Sequence, residues 1–246
     1  MSFLKTIHAE FYKFRKTFTW TVLFLSPIIA GFAGFFTYSR LSDGHPSKPW
    51  MLIYSPMATI HGMLFLPLIV GVIVALICRY EHLHGGWKQY LVQPVRRWQV
   101  YLVKFGLAAG AIAVIQLLML FALLAAGILN GIDHPFPLEM VLKSLIGGWI
   151  ATFPLIALQL WVSTAWSSFA APMAINVICT IPSMLIANSA TYGPYYPWAQ
   201  PLLAMMPNAK SAGILFVSAE TLFLVIAGSF VIFFVGGLTF FQKRAY

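Results

Sequence analysis

The stretch RYEHLHGGWKQYLVQPVRRWQVYLVK, residues 79–104, decides how this chain is read. It carries the cations Arg79, Lys88, Arg96, Arg97 and Lys104 and a single acid, Glu81. On either side lie long apolar runs, roughly 57–78 and 105–129. A helix needs about 20 mostly apolar residues to cross a bilayer, and each flanking run meets that length. Residues 79–104 therefore form a polar, basic piece of helix-like composition held between two membrane spans. It is the largest surface the chain offers to a soluble partner.

Working outward, the same pattern repeats. The 246 residues are 60% hydrophobic and 9% charged, with a mean hydropathy of +0.84. Soluble domains carry about 25% charged residues, so the deficit places the whole chain in a membrane. Six spans are predicted, at about 18–38, 57–78, 105–129, 143–165, 170–188 and 217–241. They leave no room for a soluble domain of ordinary size. Cys78 and Cys179 fall in separate apolar runs and are read as buried apolar side chains rather than a disulfide. The first apolar run is too long for the hydrophobic region of a signal peptide, which takes about 7–15 residues, so no cleavable leader is expected.

The net charge of +9 invites a nucleic-acid reading, but its distribution argues against one. Eleven of the fifteen basic residues lie in the N-terminal arm, in 79–104, or at Lys243 and Arg244. Six spans put those three regions on one side. The other side holds Arg40, Lys48, Lys143 and Lys210, matched by Asp43, Asp133, Glu139 and Glu220. By the positive-inside rule the crowded side is cytoplasmic, with both termini. Topology and anionic lipid account for the basic excess, and no nucleic-acid partner is expected.

Residues 1–16 are expected to form an amphipathic interfacial helix. At about 100° per residue, Phe3, Leu4, Ile7, Phe11 and Phe14 share an arc of roughly 100°, with Lys5, Lys13, Arg15 and Lys16 on the remainder. An outer loop is expected at about 39–56, with turns at Asp43-Gly44-His45-Pro46 and belt aromatics Trp50 and Tyr54. Pro67, Pro154 and Pro182 should kink their spans. Gly106 and Gly110 form a small-xxx-small pair suited to close helix approach. The stretch 189–212 holds four prolines and four aromatics and resists a plain helix. It is predicted to be an outer re-entrant hairpin, tolerated at depth because it packs on protein.

The motifs of several enzymes are missing. The dipeptide Gly-Lys never occurs, so there is no phosphate-binding P-loop; ATP, if used, binds another chain. No His-Glu-x-x-His helix or paired carboxylates lie in the spans, which weighs against an intramembrane protease. Glu81, His82 and His84 do not make a metal site, because histidines two apart on a helix diverge. Glu81 has two readings: an exposed ion pair worth about 0–1 kcal/mol, or a carboxylate fixing the angle between span two and the next helix. Gln116, Gln159, Asn176 and Glu220 are either interhelical hydrogen-bonding groups or a polar strip along a substrate path, and His61 is a further polar residue within a span. A channel or a sensor subunit working without ATP is the remaining alternative.

The run Glu81-x-x-x-Gly85-x-x-Lys88-x-x-Leu91-x-x-Pro94-x-x-Arg97, continuing to Lys104, resembles the coupling helix of ABC-2-type ATP-binding-cassette permeases. With the arm, the six spans, the outer hairpin and the basic tail, the likeness covers the whole chain as a single transmembrane domain, 1–246. It implies an all-α membrane protein with six transmembrane helices. Its partners would be an ATPase subunit dimer, which binds ATP and Mg, a second permease (homodimer or heterodimer), and membrane lipid. The permease itself is not an enzyme and binds no cofactor. The resemblance implies that Glu81, His84, Gly85, Trp87, Lys88, Tyr90, Leu91, Pro94 and Arg97 form the ATPase contact. The arm pattern Glu10-Phe-Tyr-Lys13-x-x-Lys16 looks like the small permeases of lantibiotic-immunity transporters in bacterial cytoplasmic membranes. That likeness implies export of an antimicrobial peptide; export of another drug, lipid or small solute is the alternative.

Overall fold

The computed structural model describes residues 3–16, 19–41, 48–82, 86–87, 96–189, 191–206 and 219–244. All regular structure in those residues is helical. The elements are α1 (Phe3–Lys16), α2 (Thr19–Leu41), α3 (Pro49–Ile60), α4 (Leu66–His82), α5 (Arg97–Leu129), α6 (Leu138–Ala151), α7 (Phe153–Ala165), α8 (Ala170–Ile186), α9 (Gln200–Met205) and α10 (Ala219–Lys243).

Five helical runs are long and apolar enough to cross a membrane: Thr19–Leu41, Pro49–Arg79, Arg97–Leu129, Leu138–Ala165 and Glu220–Lys243. The sixth expected span is α8, apolar but only 17 residues long. Two boundaries differ from expectation. The outer loop foreseen at 39–56 is largely helix, because Pro49 sits at the start of α3, where its missing N–H is harmless. The loop foreseen at 79–104 is shorter, since Glu81 and His82 still belong to α4 and Arg97–Lys104 to α5.

The span Pro49–Arg79 contains a π-helical turn, His61–Phe65, closed by the Leu66 N–H on the His61 carbonyl. Pro67 follows at once. It has no N–H for the carbonyl four residues back, Met63 O, which instead receives the Ser183 hydroxyl at 3.5 Å. The widened turn and the proline together leave carbonyls open to α8. Asn176 Nδ2 donates to Pro67 O at 2.9 Å, while its Oδ1 accepts from Trp198 Nε1 at 2.9 Å. One amide thus fastens α8 to α4 and to the segment before α9.

That segment folds into the helices. Trp198, Gln200, Leu202 and Met205 are buried, and Gln200 Nε2 is satisfied by Pro194 O. The Leu202 backbone passes so close to Gly62 that a Cβ there would lie 2.9 Å from the Leu202 Cα. Gly62 is 13 residues along the helix that starts at Pro49, about 20 Å at 1.5 Å per residue. Ser144 donates to the Met205 carbonyl and accepts from the Tyr54 hydroxyl at 2.5 Å, tying α9 to α6 and α3.

The core runs along α3, α4 and α5, with Ile53, Met57, Leu66, Ile73, Ile112, Ile115 and Met119 fully enclosed. The Gly106 and Gly110 positions correct an expectation: nothing lies within 4 Å of a Cβ at either. Both face outward, because α5 turns Ala108, Ala109 and Ile112 toward its neighbours instead.

Candidate functional site: a buried charge knot at the inner helix ends

Lys104 lies seven residues inside α5, among apolar neighbours, and is 1% exposed. A lysine there needs partners, since an isolated ammonium is costly to bury. Its Nζ donates to Glu10 Oε2 at 2.6 Å and to Ile77 O at 3.0 Å, and pairs with Glu81 Oε1 at 3.0 Å. Lys13 closes the ring, with Glu10 Oε1 at 2.8 Å and Glu81 Oε1 at 2.9 Å. Glu10 and Glu81 are 2% and 3% exposed. Two carboxylates and two ammoniums thus balance in a site that joins α1, the end of α4 and the start of α5.

Helical spacing explains how α1 reaches it. Thr6, Glu10 and Phe14, four residues apart, form the buried stripe of α1. Burial alone would raise the Glu10 carboxyl, but Lys104 and then Lys13 outweigh it and hold it below its ordinary value. Glu81 Oε2 has no hydrogen-bond partner among the described residues.

Around the charges sits an aromatic collar. The Trp87 ring lies 5.6 Å from Lys104 Nζ, 5.1 Å from the Phe241 ring and 5.8 Å from His82. Tyr101 stands against Phe241 at 5.8 Å. The described residues 86–87 therefore meet α10 and the knot through the buried Trp87 indole.

The C-terminal ends of α7 and α10 are carbonyl ends, which attract cations. Arg244 donates to Thr164 O at 2.6 Å and to Ala165 O. Arg97 donates to Gln242 O at 2.9 Å and Arg244 O at 2.7 Å. His82 Nε2–H donates to Ser163 O at 2.7 Å. Burial is the main force lowering His82 below its ordinary value. In this way α4, α5, α7 and α10 share one cross-braced inner end.

Of the residues expected at the ATPase contact, Glu81, Trp87 and Arg97 are in the knot or its bracing. His84, Gly85, Lys88, Tyr90, Leu91 and Pro94 lie outside the described residues. The exposed-pair reading of Glu81 is corrected: its carboxylate is enclosed by Lys13 and Lys104. In the arm, Phe14 is buried against Trp20, Ile7 is half-buried, and Phe3 and Phe11 are exposed. The expected lipid-facing arc is thus split, with Phe14 turned into the protein.

The polar residues foreseen as a substrate path are held by different elements. Gln116 Oε1 accepts from His61 Nε2–H at 3.1 Å, and His61 Nδ1 accepts from Ser26 at 2.5 Å. Gln159 Nε2 donates to Pro172 O at 2.9 Å. Asn176 bolts α8 to α4. Glu220 is exposed in the first turn of α10.

Glu10, Lys13 and Lys104 were not foreseen as one site. The signal was available: Lys104 stands at the edge of the apolar run 105–129, directly between Val103 and Phe105, and Glu10 and Glu81 are the two acids on its side of the predicted topology.

Comparison with protein families gives a match to the one described as ABC-2 family transporter protein, over residues 6–183. That range contains all four charges of the knot. A comparison with curated proteins found no match.

Proposed function

The chain belongs to the ABC-2 family of transporter proteins, and on that premise we propose that it is the permease subunit of an ATP-binding-cassette exporter. In this reading α8 is the sixth span, and both termini and segment 82–94 are cytoplasmic, as the basic residues crowded on that side favour. A separate ATPase dimer docks on that segment, and a second permease, a copy or a sister chain, completes the path. ATP and Mg belong to the ATPase.

The observation that carries this reading is the knot. Trp87 inserts from the docking segment against Lys104 and Phe241, where α1, α4, α5 and α10 meet. A push on the segment is delivered to those helices together, because buried ion pairs and packed rings resist shear. ATP-driven closure of the ATPase dimer then tilts the spans as a group and opens the path.

The cargo is hydrophobic or amphipathic. The arm pattern around Glu10 and Lys13 favours an antimicrobial peptide of the lantibiotic class, expelled from the membrane of a resistant cell. Lys88→Glu is the first variant to make, since Arg97 is engaged with α10. We expect it to lower ATPase co-purification and transport-coupled ATP hydrolysis severalfold while thermal stability is kept. Intact assembly with unchanged hydrolysis would sink the docking assignment. For the cargo, co-expression with the ATPase should raise the lantibiotic concentration that cells survive. Unchanged survival, with assembly intact, redirects the search to other drugs or lipids.

A further inference from the structure

Helix α1 has three faces, and the knot uses only one. Thr6, Glu10 and Phe14 are buried on the protein. Next to that stripe, Leu4 is 70% and Phe11 46% exposed. Beyond them Lys5, Arg15 and Lys16 are exposed, with His8 and Tyr12 between them and Lys16 Nζ 4.6 Å from the Tyr12 ring. Glu10 is the only acid of α1, and it is buried, so this outer face has no counter-charge of its own.

The neighbours fix the level at which that face lies. Phe3 stacks on Trp98, the second residue of α5, with ring centroids 6.4 Å apart. Phe14 meets Trp20, the second residue of α2, at 5.9 Å. Trp98 and Trp20 are both part-exposed, and tryptophans at the ends of spans mark the headgroup boundary. Leu4 and Phe11 therefore point to the acyl edge, while Lys5, Arg15 and Lys16 stand among headgroups. A basic face without acids is complementary to an anionic leaflet, where each such residue is attracted independently.

We infer that α1 is an anionic-lipid sensor: its outer face docks on negatively charged phospholipid headgroups and its inner face passes that docking, through Glu10, to the inner ends of α4 and α5. The link is short, because Glu10 Oε2 is 2.6 Å from Lys104, and Lys104 also holds Ile77 O and Glu81. An anionic leaflet thus sets the knot that the ATPase acts on, and coupling weakens in a neutral one. The inference rests on the membrane-permease reading but not on the docking assignment of segment 82–94.

The test is hydrogen exchange of the full chain, without ATPase, in nanodiscs of phosphatidylcholine alone or with phosphatidylglycerol. With the anionic lipid, amides of 6–14 should exchange about tenfold slower, and the last turn of α4, 77–82, should slow with them. Lys5→Gln, Arg15→Gln and Lys16→Gln together should erase both effects. Glu10→Gln should keep the α1 effect and lose the one at 77–82; if that chain fails to fold, Glu10→Asp, which draws the carboxylate back from Lys104, replaces it. Equal exchange in the two lipids overturns the inference. So does a response confined to α1, or protection that appears in phosphatidylcholine only when the ATPase is added, which would assign the basic face to that protein. Because no ATPase is needed for the main readout, a failed docking assignment leaves this result standing.

Discussion

Lys104 concentrates the argument at the scale of single residues. It is buried between Glu10 and Glu81, so removing it leaves two carboxylates with Lys13 as their one remaining cation among the described residues. Breaking a buried pair costs about 3–5 kcal/mol. Lys104→Met should therefore lower the unfolding free energy in detergent by that order. Adding Glu10→Gln and Glu81→Gln should recover much of the loss, and a double-mutant cycle reads the coupling directly. A strictly additive cycle contradicts the knot. The pH response follows from His82, whose folded value lies below its ordinary one. The unfolded chain then binds more protons at low pH, so stability falls as pH drops through about 6.5. Wild type should lose stability between pH 7.5 and 5.5, and His82→Gln should flatten part of that slope. Glu10 has the same sign at lower pH: its contribution is present above the ordinary carboxylate range and is lost as pH falls through the folded value. These residues were half legible beforehand. A lysine at the edge of an apolar run announces a buried partner, but which acid reaches it depends on how α1 crosses α5, and no sequence period encodes a crossing.

The elements show where legibility ends. Hydrophobic run length located the five long apolar helices, because the bilayer fixes the length a helix must have, while the sixth expected span, α8, has only 17 residues. Their ends were misplaced around 39–56 and 79–104, since helices continue past the apolar core once their polar ends find partners. The π-helical turn before Pro67 was foreseen only as a proline kink. Its actual form depends on Ser183 and Asn176, more than a hundred residues later, which donate to the opened carbonyls. This makes a sharp prediction at Gly71. A Cβ there would fall 2.1 Å from Asn176 Nδ2. Gly71→Ala should cost about 1–3 kcal/mol, in the range of overpacking. Combined with Asn176→Ala it should cost less than the sum of the two single changes. If Gly71→Ala leaves the melting temperature untouched, the α4 to α8 contact is wrong.

At the scale of the whole molecule, the inner ends of four long helices are braced by arginine, histidine and buried ion pairs, while α9 locks the other half. A body built this way moves as few rigid parts, which suits a device driven from one contact segment. ABC-2 permeases normally work with an ABC ATPase, and in the proposed reading its force enters at the segment carrying Trp87. The most direct measurement is a purification of the tagged full chain from its native membrane in mild detergent, with mass spectrometry of the proteins that remain bound and an assay of ATP hydrolysis. The account predicts an ATP-binding-cassette subunit in the complex, hydrolysis that accompanies it, and loss of both on Lys88→Glu. An intact permease that carries no such ATPase, or one whose binding ignores segment 82–94, would contradict it.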